Sequence, residues 1–252
     1  MKSTRLLANL SATLFALGVA HAEFTWPRAN TPNSDTISHW SFDGSLDSDS
    51  GRLKLDALET PTESGSNRSP AEPVFASGPS NLGQALSLKP ENTLSTSGIK
   101  LAEAEFTVSF WVKLSGPGHI GCILNPGGQD EKALSIGLQV DQAGKLNSMF
   151  KLGTSKWFTK SVASDLLDEQ WHHIAVVVKT DAGGDGSNLK ISDNGNVLID
   201  EQVDGVAPET LNVFLGAHPT EYSMPRAGLS AEMLVDELLI QGVALAEPHK
   251  PL

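Results

Sequence analysis

Residues 106–114 alternate without a break: Phe106, Val108, Phe110, Val112 and Leu114 fall on one side of an extended chain, Thr107, Ser109, Trp111 and Lys113 on the other. A period of two is the signature of a strand with one buried face. Shorter runs of the same kind predict strands over residues 37–43, 85–88, 119–124, 134–140, 149–152 and 157–162. Others follow at 175–179, 189–192, 197–199, 211–215 and 233–240. Between 192 and 197 stands Asp193-Asn194-Gly195, a type I′ hairpin signal. No stretch carries a sustained period of 3.6. Many short strands separated by turn residues predict an all-β chain, a two-sheet antiparallel sandwich of the jelly-roll kind built as a single domain.

The ends and one interior stretch fall outside this pattern. Residues 1–22 combine Lys2 and Arg5, an apolar run over 6–19 and the small-residue ending Ala20-His21-Ala22, which predicts a signal peptide and export to the periplasm or the medium. Residues 23–35 form a polar, proline-broken leader, 36–246 the domain and 247–252 a tail. Within the domain, 59–73 is rich in Thr, Ser, Pro, Gly and Asn and reads as a mobile surface loop. No further apolar run is long enough to span a bilayer.

Charge narrows the range of partners. The full chain carries 18 basic and 30 acidic residues, and without residues 1–22 the net charge is −14. Nucleic acid needs clustered Lys and Arg, so it is excluded as a partner, and a cation is favoured as a guest. Cys122 is the single cysteine, so no intrachain disulfide forms; its place in Ile120-Gly121-Cys122-Ile123-Leu124 predicts burial as a small apolar residue.

Six segments, in this order, resemble the laminin G-like, concanavalin A-like jelly-roll superfamily, which also includes pentraxins. They are Trp40-Ser41-Phe42-Asp43-Gly44, Gly83-Gln84-Ala85-Leu86-Ser87-Leu88, Phe106-Thr107-Val108-Ser109-Phe110-Trp111-Val112, Trp171-His172-His173-Ile174-Ala175, Val235-Asp236-Glu237-Leu238-Leu239-Ile240 and Ala244-Leu245. The resemblance implies a module that binds calcium and glycans or surface proteins. It also raises glycoside hydrolysis, because some relatives carry an alternating Glu-x-Asp-x-Glu triplet on their catalytic strand. Here Glu232 and Asp236 flank Leu234, and the central acid is missing. Two carboxyls four residues apart on one strand stand about 13 Å apart, against about 5–5.5 Å for retaining hydrolysis.

Asp236 interrupts an apolar run, Met233-Leu234-Val235 before it and Leu238-Leu239-Ile240 after. An unpaired carboxylate there is too costly to bury, so a calcium ion, backbone N–H groups or an exposed rim position must accommodate it. The resemblance implies calcium, with Asp43, Asp47 and Asp49 from the loop after the first strand as partners to Asp236. Asp47-x-Asp49 opens like an EF-hand but has Gly51 at the third ligand position and Leu58 at the twelfth, and is not one. His172 and His173 are adjacent on a strand, face opposite ways and cannot share a metal. Trp111, on the polar side of its strand, and Trp157 and Tyr222, in turn regions, are candidates for stacking on a sugar, with burial as the competing reading for each.

Three functions follow. The first is an exported non-catalytic module that binds a glycan or a cell-surface protein, with calcium as candidate cofactor. The second is a glycoside hydrolase, which lacks its triplet, and the third a structural envelope protein without a small ligand.

Overall fold

The alternating residues 106–114 form the centre of one of two sheets. This computed structural model describes residues 34–50, 52–59, 72–79, 82–124, 132–152, 158–216 and 230–245. The expected signal peptide, most of the expected leader and of the 59–73 loop, Trp157, Tyr222 and the tail lie outside the described residues. In chain order the strands are β1 (Thr36–Trp40), β2 (Asp56–Glu59), β3 (Val74–Ser77), β4 (Gln84–Leu88), β5 (Asn92–Lys100), β6 (Glu105–Leu114), β7 (Gly118–Leu124) and β8 (Leu134–Val140). They continue as β9 (Leu146–Leu152), β10 (Phe158–Val162), β11 (His172–Thr180), β12 (Ser187–Asp193), β13 (Asn196–Val203), β14 (Thr210–Gly216) and β15 (Met233–Gln241).

Sheet I runs β13-β12-β11-β6-β15-β4-β3, with β1 also on β15; sheet II runs β10-β9-β8-β7-β14-β5-β2. Every ladder is antiparallel. One core fills the space between the sheets: Phe106, Val108, Phe110, Val112 and Leu114 of β6 join Ile120, Ile123, Ile136, Leu138 and Val213 of sheet II. This is the antiparallel jelly-roll sandwich the alternation predicts, and Cys122 is buried in it. The hairpin between β12 and β13 also has its expected form, with Asn194 and Gly195 at φ 50° and 75°, the left-handed pair a type I′ turn requires.

Three strands escaped the sequence reading. β2 and β3 are four residues each, too short for a periodic signal. β5 reads Asn-Thr-Leu-Ser-Thr-Ser-Gly-Ile-Lys, mostly polar, and its pairing with β14 shifts register near Gly98, which breaks the alternation. The threonines were the available clue, since β-branched residues favour the pleated backbone.

The feature that builds the site is a change of neighbour along β15. One edge of this strand pairs with β6 throughout. Its other edge pairs with β4 at Met233–Val235 and with β1 at Leu238–Gln241. Between these halves, opposite β6, the register slips between Asp236 and Leu239, and Glu237 takes φ 50°. The extra residue is a β-bulge. Because of it the core-facing residues are Met233 and Val235 before the slip and Leu238 and Ile240 after it. A regular strand could not bury all four on one side.

Candidate functional site

Three chain segments meet where β15 changes partner: the end of β1, the turn between β3 and β4, and the bulge. Asp43 follows β1 in a stretch bent by left-handed Phe42 (φ 52°) and Gly44 (φ 83°). Its Oδ1 accepts the Gln84 backbone N–H at 2.8 Å, which ties the end of β1 to the start of β4. The β3–β4 turn closes with the Gly78 N–H on the Gly83 carbonyl at 3.0 Å. Both glycines are required by space. A Cβ on Gly83, already at φ +84°, would collide with the Asp43 carboxylate, and one on Gly78 would lie 2.9 Å from Asp236 Oδ2.

Asp236 is fully buried at 0% exposure. Its Oδ1 accepts the Glu237 N–H at 2.9 Å, whereas Oδ2 has no hydrogen-bond partner among the described residues. Burial above all, then the charges of Glu237 and Asp43, push its pKa up to about 8 against the pull of that one backbone bond. Near neutral pH this carboxyl must therefore hold a proton or meet a cation. The rim position weighed for it from the sequence does not occur, and the backbone N–H reaches one of its two oxygens.

Trp111 explains the depth of this burial. It pairs directly with Asp236 across β6 and β15, and on its other side its ring lies 5.1 Å from that of His173. Leu82, from the β3–β4 turn, and half-buried Trp171 pack on it, leaving it 0% exposed. The sugar-stacking role considered for Trp111 is thus corrected: Leu82 and Trp171 pack on the indole and bury it across the strand pair from the carboxylate. Among the described residues the exposed aromatic is Phe158 on β10, 55% exposed and stacked on Phe150 at 6.0 Å.

The remaining candidates separate. Asp47 is exposed and forms an isolated bridge with Lys54. Asp49 turns to His39, whose Nδ1 stands 2.6 Å from Asp49 Oδ2 while its Nε2 stands 2.6 Å from Glu237 Oε2. Burial alone would lower the His39 pKa; the Glu237 and Asp49 carboxylates outweigh it and raise it. His172 has the same kind of surroundings, Nδ1 2.9 Å from Asp193 and Nε2 3.0 Å from Asp168, and its pKa is likewise raised by these carboxylates against burial. His172 and His173 thus serve different neighbours, as strand geometry requires. Among the described residues no three carboxylate, imidazole or thiol side chains converge as a metal cluster. Of the four aspartates considered as calcium ligands, Asp43 lies against Gly83 and Asp236 against Gly78, and the charge of Asp43 bears on Asp236. His39, Glu237, Gly78 and Gly83 were not singled out, because bulge and turn positions have no periodic signature.

A family model described as the concanavalin A-like lectin/glucanases superfamily matches residues 88–248. The chain belongs to this superfamily. No curated protein sequence matches it significantly. Among solved structures, the superfamily fold recurs in domain 4 of AbnA, a GH43 extracellular arabinanase from Geobacillus stearothermophilus, solved with arabinotriose. That domain is 20% identical, with TM-score 0.58, covering 86% of this chain and 96% of the domain. The binding domain of botulinum neurotoxin DC, solved with rat synaptotagmin II, is 11% identical at TM-score 0.51, covering 85% of this chain and 50% of that one. The native heptameric SAP-like pentraxin from Limulus polyphemus is 16% identical at TM-score 0.47, covering 77% and 78%.

Proposed function

We propose that this protein is an exported, non-catalytic binding module for a glycan or a cell-surface protein, and that calcium at Asp43 and Asp236 locks its fold. The observation that carries the calcium reading is the buried Asp236 carboxylate, whose Oδ2 lacks a hydrogen-bond partner among the described residues and lies against Gly78, while the Asp43 carboxylate lies against Gly83. A carboxylate oxygen suits calcium, which takes 6–8 oxygen ligands and accepts backbone carbonyls among them. Asp43 and Asp236 would supply the charged ligands and the segments around Gly83 neutral ones. Bound there, the ion would supply positive charge that replaces the proton on Asp236 and ties β1, β4 and β15 together.

Binding rather than hydrolysis is supported by the same burial. A general acid must reach the bond it protonates, and Asp236 lies under Leu82 and Trp111 while Glu232 is exposed at the start of the strand. Proteins of similar fold lend support: the arabinanase domain was solved with arabinotriose and the toxin domain with rat synaptotagmin II. A glycan array probed with the exported chain, in millimolar calcium and again in chelator, tests the reading. Calcium-enhanced binding to a defined glycan class is expected. Signal at background in both conditions, with no binding to cell surfaces either, refutes it.

A further inference from the structure

We infer that His39 is the positioning residue of the calcium site, clamping the loop that carries Asp43 to the bulge that carries Asp236; this rests on the calcium reading above. His39 lies on β1 opposite Leu239 and is 6% exposed. Both ring nitrogens stand 2.6 Å from carboxylate oxygens. Each ring nitrogen can act as a donor to the carboxyl beside it, so His39 bridges Asp49 and Glu237.

Each donor reaches a different half of the site. On one side is Asp49, whose backbone N–H returns to the His39 carbonyl at 2.8 Å and whose Oδ1 accepts the Ser41 hydroxyl at 3.1 Å. These bonds close the base of the loop from Ser41 to Asp49, and Asp43 lies within it. On the other side is Glu237, 2% exposed, the left-handed residue of the bulge, whose own N–H holds Asp236 Oδ1. The order of ties is therefore Asp49, His39, Glu237, Asp236. Asp49, which the sequence offered as a ligand, is on this account an anchor, with both carboxylate oxygens already engaged.

Groups that orient metal ligands typically change affinity by about 10–100-fold when removed. Calcium titration calorimetry on the full mature chain, supported by terbium luminescence, would compare wild type with His39→Gln, Glu237→Gln, the His39/Glu237 double variant and Asp236→Asn. The clamp predicts calcium about 10–100-fold weaker in each single variant, and a double variant no weaker than the worse single one, since both remove one tie. Terbium should gain bound water as the site loosens. Val178→Ala, a buried change on β11, controls for lost stability and should keep wild-type affinity. The inference fails if His39→Gln and Glu237→Gln bind calcium as wild type does while Asp236→Asn does not. It fails equally if Val178→Ala weakens calcium as much as they do. If Asp236→Asn binds calcium like wild type, the calcium reading itself falls.

Discussion

Asp236→Asn should stabilise the calcium-free protein at alkaline pH. In the folded chain the Asp236 carboxyl holds its proton up to about pH 8, against an ordinary value near 3.8. A group whose pKa is raised by folding contributes its full stability below the unfolded value and loses it as pH climbs through the folded one. In chelator, stability should therefore fall between about pH 4 and pH 8. Roughly four pKa units at 1.36 kcal/mol each set an upper bound of about 5 kcal/mol on the loss. His39 and His172, both raised above 6.5, add losses of the same sign at higher pH. Asparagine cannot ionise, and its Oδ1 can still accept the Glu237 N–H. At pH 8 in EDTA the variant should therefore melt higher than wild type, by about 5–10 °C if half of that bound is realised. Towards pH 5 the gap should narrow, and it closes below about pH 4. Thermal melts of both proteins in EDTA across pH 5–8.5 decide the matter. Parallel curves would show that Asp236 is ionised and satisfied without a cation, and the desolvation argument would be wrong.

Other substitutions probe the surroundings. Gly83→Ala, at φ +84° against the Asp43 carboxylate, should cost at least about 1–2 kcal/mol in denaturant unfolding and weaken calcium; an unchanged midpoint would remove the glycine from the account. Trp111→Ala should cost about 3–5 kcal/mol, as for any buried large side chain. Ligand binding by the fraction still folded should be unaltered, whereas a selective loss of glycan affinity would restore Trp111 as a contact residue. Reducing-sugar release from β-glucans and galactans should stay at the buffer level, and turnover abolished by Glu232→Gln would overturn the non-catalytic reading.

The strands with clean alternation, β6 above all, were legible in the sequence because one face is buried and the pleat has a fixed period. β5 was not, since Gly98 and a register slip interrupt its alternation. Asp236 could be recognised as anomalous from composition alone, a charge within an apolar run, and the burial bears this out. Its surroundings could not. The bulge takes Glu237 off the core-facing side that follows Met233 and Val235 and makes it a buried partner of His39, and no one-dimensional pattern marks a bulge. Trp111 was left with two readings: strand parity assigns it to the side of its strand away from the core stripe, where stacking and burial compete, and Leu82 packed on the indole decides for burial. Asp47 and Asp49 both follow Asp43 in the same acidic loop, yet Asp49 is engaged by His39 and Ser41.

The central claim is that a calcium ion completes the site at Asp43 and Asp236, and the melting temperature of the wild-type chain in calcium against chelator at neutral pH tests it most directly. At about 100 times its dissociation constant, a ligand that binds only the folded state stabilises it by about 2.7 kcal/mol. For a chain of this size that predicts a rise of roughly 5–11 °C. Extracellular calcium modules fill at about 10⁻⁴–10⁻³ M, and magnesium, which demands tight octahedral geometry, should do much less. Superimposed melting curves in excess calcium and in EDTA would contradict the claim and leave Asp236 a buried, protonated structural residue.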